Sequence, residues 1–242
     1  MDFCEIDYEG ALRRIEAMVA RRERGYVCHV SVNALMNANR EPAAMSALRE
    51  ADLVLPDGMP VVWALRSLGA ELRDRVYGPE LMSRAFERSI RSGTRHFLYG
   101  GRDRGATAAL TAALRRRYPG AAIAGSWTPP YRPLTDPEAE EVIELIDGSG
   151  ADIVWVGTGS PRQEKWMAQM RPRLEAPVMV GVGAAFDFHA GLVRQAPPWM
   201  QRRGLEWLFR ASRAPRRLGP RYLRDNPAFL ALWAREWLRA RR

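Results

Sequence analysis

Short apolar runs alternate with amphipathic stretches along most of the chain. Tyr8–Arg22 carries apolar residues at helical spacing behind Asp7, a suitable N-cap. Tyr26–Val32 reads as a strand, Met36–Glu50 as a helix, and Asp52–Leu55 as a short strand running into Pro56-Asp57-Gly58. Helices follow at Met59–Leu68 and Pro79–Arg91, the second with proline in its first turn, where no backbone N–H is needed. His96–Tyr99 is a strand entering Gly100-Gly101, Asp103–Tyr118 a helix, Ala121–Gly125 a strand and Asp136–Ile146 a helix. Ile153–Val156, Pro161–Leu174 and Val178–Val182 complete the alternation as strand, helix and strand. Such alternation predicts an α/β fold, a Rossmann-like, mainly parallel sheet sandwiched by helices. Beyond Gly191 no strand is evident, and Pro197-Pro198, Pro215 and Pro220 interrupt helix-compatible segments. The pattern therefore predicts a body over residues 1–190 and a short basic helical appendage over 191–242.

Charge sharpens that division. Residues 190–242 hold thirteen arginines against three acids, while the whole chain is +9, so the body is close to neutral. Four of the eight tryptophans (Trp199, Trp207, Trp233 and Trp237) also fall in this tail. A basic, Trp-bearing end on a neutral body suits an anionic, partly apolar partner: a membrane surface, a diphosphate or a nucleic acid. Only one lysine, Lys165, is present, so composition explains the choice of arginine but not its segregation. Cys4 and Cys28 are too few for a disulfide framework and fit a reducing compartment. The first residues lack the pattern of a signal peptide, and no run approaches the roughly 18 apolar residues of a membrane span. A cytoplasmic protein with peripheral membrane attachment is expected.

Three loops at predicted strand ends carry the candidate chemistry, because ligands of open α/β sheets bind at the carboxyl ends of the strands. They are Ser31–Asn33, Pro56–Gly58 and Gly157–Gln163. Asp57 follows a strand and precedes a glycine; it can serve as a general base, or simply form an Asp-Gly turn or cap the next helix. Gly157-Thr158-Gly159-Ser160-Pro161-Arg162-Gln163 delivers two glycines to a helix start, where backbone N–H groups can receive phosphate. The string lacks the third glycine of a dinucleotide fingerprint and the ending of a P-loop, and an ordinary strand–helix turn would look similar. Arg75, before Tyr77-Gly78, suits a sugar or phosphate as well as a solvated surface. His29, His96 and His189 show no ligand spacing and read as structural, so no metal is expected.

Together these strings resemble the WecG/TagA/CpsF glycosyltransferases (family 26). The resemblance runs in order through Val30-Ser31-Val32-Asn33, Ala51–Gly58, Arg75-Val76-Tyr77-Gly78, Gly157–Glu164, Phe186-Asp187, Ala190-Gly191, Ala196-Pro197, Gly204-Leu205-Glu206-Trp207 and Pro215-x-Arg217. It implies inverting, metal-independent transfer of a sugar from a UDP-sugar to a polyprenyl-diphosphate-linked glycan, at the inner face of the cell membrane, without a cofactor. An N-acetylmannosamine-type sugar is the first choice of donor, with glucose and N-acetylmannosaminuronate as alternatives. By the resemblance, Asp57 would be the base and Ser31 would take the family's usual threonine position near the reacting centre. Asn33, Arg75 and Gln163 would contact the nucleotide sugar, with Gly157 and Gly159 at its phosphates. Arg210, Arg217 and Arg221 would reach over from the appendage to a diphosphate. Trp233, Trp237 and the terminal arginines are then read as surface anchors, and self-association with a second copy is compatible with the apolar tail.

Two other classes compete. A nucleic-acid-binding protein would use the arginine-rich tail, but the body carries no recognition motif, so no nucleic-acid partner is expected. A nucleotide-dependent oxidoreductase would need the dinucleotide fingerprint that the chain lacks.

Overall fold

The structure, a computed structural model, describes residues 2–241. The body runs α1 (Tyr8–Arg21), β1 (Gly25–Val30), α2 (Val32–Arg40), α3 (Pro42–Arg49), β2 (Leu53–Pro56), α4 (Met59–Ser67), α5 (Gly78–Ser92) and β3 (Arg95–Gly100). It continues through α6 (Arg104–Arg117), β4 (Ala122–Trp127), α7 (Asp136–Gly148), β5 (Ile153–Gly157), α8 (Arg162–Met170), β6 (Val178–Gly181) and α9 (Ala185–His189). Then come α10 (Pro198–Arg202), α11 (Glu206–Arg213) and α12 (Pro215–Arg239). All six strands lie in one sheet, order β2-β1-β6-β5-β3-β4, and every pairing is parallel.

Parallel strands linked by helices are covered on both faces, which is why the strands read as unbroken apolar runs. Alternate residues feed two cores. Val27, Leu53, Leu55, Leu98, Trp155 and Val180 meet α1, α5 and α6 on one face. Tyr26, Cys28, Val54, Tyr99, Val154 and Met179 meet α2, α3, α7 and α8 on the other. With all strands parallel, their carboxyl ends and the loops that follow share one edge of the sheet.

The structure departs from the sequence expectations in three places. The single helix expected over Met36–Glu50 is two helices, and the first begins four residues earlier. Pro42 drives the break: it disfavours helical geometry at the residue before it, and Glu41 sits extended at φ −124°, ψ 105°. The strand expected to reach Val32 ends at Val30, because Ser31 caps α2, its Oγ accepting from the Ala34 N–H at 3.4 Å. The largest departure is in the appendage. Pro220 and Pro227 lie inside α12 without ending it. Each removes one backbone hydrogen bond, freeing the carbonyls of Arg216 and Leu223, and both of those residues are exposed, so water can satisfy the oxygens. Packing of Leu218 and Phe229 opposes that cost.

Phe229 is buried against Met36, Val61 and Ala64 of the body. Trp233 donates its indole N–H to Ser67 Oγ at 2.7 Å. It therefore docks the appendage onto α4 rather than standing free as a surface anchor. Trp237 lies under the Arg241 guanidinium, 3.6 Å from the ring centroid, while Arg242 lies outside the described residues. Among the described residues no helix is long and apolar enough to cross a membrane.

Candidate active site

A cavity of about 560 Å³ opens at the carboxyl ends of β1, β2, β5 and β6 and is roofed by the appendage. Ser31, Asn33, Asp57, Arg75, Gly159, Gln163, Arg210 and Arg221 all line it. The sequence spreads these residues over strand-end loops, the segment around Arg75 and the appendage; the fold brings them around one cavity.

Asp57 stands where β2 ends. Its own N–H donates to Val30 O at 3.1 Å, and Val76 N–H donates to Pro56 O at 2.8 Å, so strand β1 and the loop before α5 fix the turn from two sides. Gly78 N–H donates to Asp57 Oδ1 at 3.2 Å. Burial pushes the Asp57 carboxyl up to about 7; Arg75 opposes the shift and Glu206 adds to it. A carboxylate with such a value is half ionised near neutral pH and is matched to proton abstraction there.

Arg75 is buried in the wall, and both of its Nη atoms are engaged by protein. Nη1 donates to Glu206 Oε2 at 2.9 Å and to the Asp57 carbonyl at 3.3 Å, while Nη2 donates to Gln201 Oε1 at 2.6 Å. The guanidinium lies 4.0 Å over the Tyr77 ring, and Tyr77 Oη donates to Glu206 Oε1 at 3.3 Å. Glu206 and Gln201 come from the appendage, so the appendage is fastened to the loop that holds Asp57. Glu206, within Gly204-Leu205-Glu206-Trp207, carries no assigned role in the sequence pattern. The available signal was an acid kept inside a stretch dominated by arginine.

Gln163 sits in the first turn of α8, 4% exposed, its N–H donating to Gly159 O at 3.0 Å. Gly159 adopts φ +80°, a backbone region that favours glycine, and turns the chain from β5 into α8 at the cavity edge. Gly157 does not line the cavity. A Cβ there would stand 2.5 Å from the Phe186 ring, so this glycine serves close packing of β5 against α9. Ser31 keeps its hydroxyl at the cavity, where it also caps α2.

The appendage arginines divide. Arg210 and Arg221 line the cavity, and the Arg221 Nε is buried without a protein partner. Arg217 is exposed and lies outside the lining. It occupies the first turn of α12, apart from the cavity that Arg210 and Arg221 line. Among the described residues no three His, Cys, Asp or Glu side chains are grouped to hold a metal ion.

The sequence model described as "Glycosyl transferase WecG/TagA/CpsF family" matches residues 1–242. A protein of Bacillus spizizenii, named N-acetylglucosaminyldiphosphoundecaprenol N-acetyl-beta-D-mannosaminyltransferase, is 28% identical over 218 residues, covering 90% of this chain and 82% of the relative. One of the same name from Staphylococcus aureus is 30% identical over 193 residues, covering 80% of this chain and 73% of the relative.

Proposed function

The chain belongs to the WecG/TagA/CpsF family and is a glycosyltransferase, and from that premise we propose that it moves N-acetylmannosamine from a UDP-sugar to a polyprenyl-diphosphate-linked N-acetylglucosamine. The observation that carries this reading is a single cavity holding a half-buried carboxylate of raised pKa, Asp57, together with the appendage arginines Arg210 and Arg221. The relatives' names supply the sugar and the lipid-linked substrate.

In this mechanism the lipid-linked sugar presents a hydroxyl to Asp57. Its oxygen attacks the anomeric carbon as the proton passes to the Asp57 carboxylate. The bond from that carbon to the diphosphate oxygen breaks on the opposite face, and UDP leaves with the electron pair. One displacement inverts the anomeric configuration. General base help of this kind is worth about 10²–10⁴ in rate. Charge growing on the leaving diphosphate is met by Arg210 and Arg221, preorganised groups that supply electrostatic stabilisation. Asn33 and Gln163 orient the nucleotide sugar from the floor, Gly159 leaves its backbone open to the phosphates, and Ser31 lies beside the reacting centre. Arg75 holds the wall between donor and base. The reaction needs no metal on this account, and persistence of transfer in EDTA tests that point.

The appendage suits peripheral attachment to the inner membrane face. Leu223 is 79% exposed and Trp199 50%, on a segment dense in arginine; apolar side chains beside cations favour an anionic bilayer surface. Binding to vesicles with anionic lipid, weakened by salt, supports this. Preference for duplex DNA over such vesicles would contradict it.

A further inference from the structure

His29 is the last side chain before Val30 closes β1, and it is 5% exposed on the cavity floor. Its Nδ1 lies 3.0 Å from the Gly181 carbonyl. A carbonyl only accepts, so Nδ1 carries the hydrogen. The ring is neutral, because burial lowers its pKa to about 4. Nε2 is therefore a bare lone pair, and it is buried with no partner in the protein. Left unpaired, such an atom destabilises the fold, which points to a ligand that completes it.

A second acceptor stands beside it. Gln163 Nε2 donates to Glu164 Oε1 at 3.1 Å, leaving Gln163 Oε1 buried and unpaired on the same floor. Both side chains converge on Gly181: His29 bonds its carbonyl, and a Cβ there would stand 3.1 Å from Gln163 Nε2. Gly78, whose N–H donates to Asp57 Oδ1, packs beside the same ring: a Cβ on it would stand in ordinary contact, 3.5 Å from His29 Cγ. With the Asp57 carboxylate, the floor next to the reacting centre presents hydrogen-bond acceptors.

We propose that His29 is a specificity residue whose Nε2 accepts a hydrogen bond from a hydroxyl or amide N–H of a bound sugar. Such a group brings the donor that His29 Nε2 and Gln163 Oε1 lack. The inference rests on the transferase reading and refines it by naming a residue that reads the sugar. The hydroxyl or N–H belongs either to the sugar transferred or to the sugar that receives it.

Deoxy analogues of the UDP-sugar and of a polyprenyl-diphosphate N-acetylglucosamine substrate, assayed on wild type, H29F and H29Q, distinguish those sources. H29F keeps a planar ring without the lone pair, and H29Q returns an acceptor. The expected result is one analogue that loses roughly 10–100-fold in kcat/KM on wild type, while H29F loses a similar factor on the intact sugar. That same analogue then loses little more on H29F, because the two changes remove one bond. H29Q recovers part of the loss. If H29F fails to fold, the analogue series on wild type and H29Q decides the outcome. Penalties that stay independent of residue 29 at every position of both substrates overturn the inference. Absence of any sugar transfer by wild type removes the functional reading as well, whereas transfer without coupling removes this inference alone.

Discussion

Arg75 Nη1 and Glu206 Oε2 stand 2.9 Å apart, with both side chains largely buried, joining the loop before α5 to the first turn of α11. The pair lies beside Asp57, where Arg75 favours the ionised carboxyl and Glu206 disfavours it. Docking of the appendage therefore reaches the Asp57 carboxyl electrostatically as well as sterically. On the proposed mechanism Asp57 works ionised, so kcat/KM is expected to rise with pH through about 7. Glu206→Gln keeps the shape and removes the negative charge, so the acid limb moves to lower pH and the loosened Arg75 raises the KM for the UDP-sugar. An acid limb unmoved by the substitution would refute the coupling.

Keeping a carboxylate in that position costs stability, and the sign can be worked out. The folded-state pKa of Asp57, about 7, lies above the ordinary value of 3.8. Between those values the unfolded chain releases its proton first, so ionisation destabilises the fold progressively as pH rises and most fully above 7. Asp57→Asn is expected to melt a few degrees above wild type at pH 8, where about 1 kcal/mol moves Tm roughly 2–4 °C in a chain of this size. The gain shrinks towards zero below pH 4. Thermal melts across pH 4–8 check this, and a variant less stable than wild type at pH 8 contradicts it.

Phe229 and Trp233 hold α12 against α2 and α4. Phe229→Ala should cost the docked appendage about 3–5 kcal/mol, the usual range for emptying a buried aromatic site. The expected result is faster proteolytic cutting near 191–215 and a loss of turnover, with the body's melting transition retained. Unchanged cleavage and turnover would mean that Phe229 does not hold the appendage.

The appendage arginines should separate by assay. Arg210→Ala and Arg221→Ala should lower kcat with a water-soluble diphosphate substrate by roughly 10-fold or more, since each removes a preorganised charge from the cavity. Arg217→Ala should leave that rate near wild type and weaken sedimentation with anionic vesicles, by about 1 kcal/mol for one basic residue near the surface. Equal kinetic losses in all three variants would place Arg217 at the cavity too.

The sheet was readable because strands buried on both faces are continuous apolar runs. Asp57, Ser31, Asn33, Gly159 and Gln163 were readable as candidates because strand-to-helix loops of a parallel sheet share one edge. What a one-dimensional pattern hides is partnership across the chain. Nothing local ties Glu206 to Arg75, 131 residues away, or makes His29, which reads as a core histidine, end in an unpaired Nε2. Gly157 and Gly159 sit two residues apart in one motif, yet one packs on Phe186 and the other lines the cavity. Pro220 misled for a related reason: the cost of a proline inside a helix depends on whether the carbonyl it frees faces water. Arg217 belonged to a resemblance motif, but exposure on α12 takes it away from the cavity.

The most direct test is transfer from UDP-N-acetylmannosamine to polyprenyl-diphosphate N-acetylglucosamine, followed as UDP release and disaccharide-lipid product in EDTA, with wild type and Asp57→Asn side by side. The account predicts product with inverted configuration from wild type and a loss of about 10²–10⁴ in rate for the folded variant. Turnover by Asp57→Asn close to wild type, with folding intact, would contradict it.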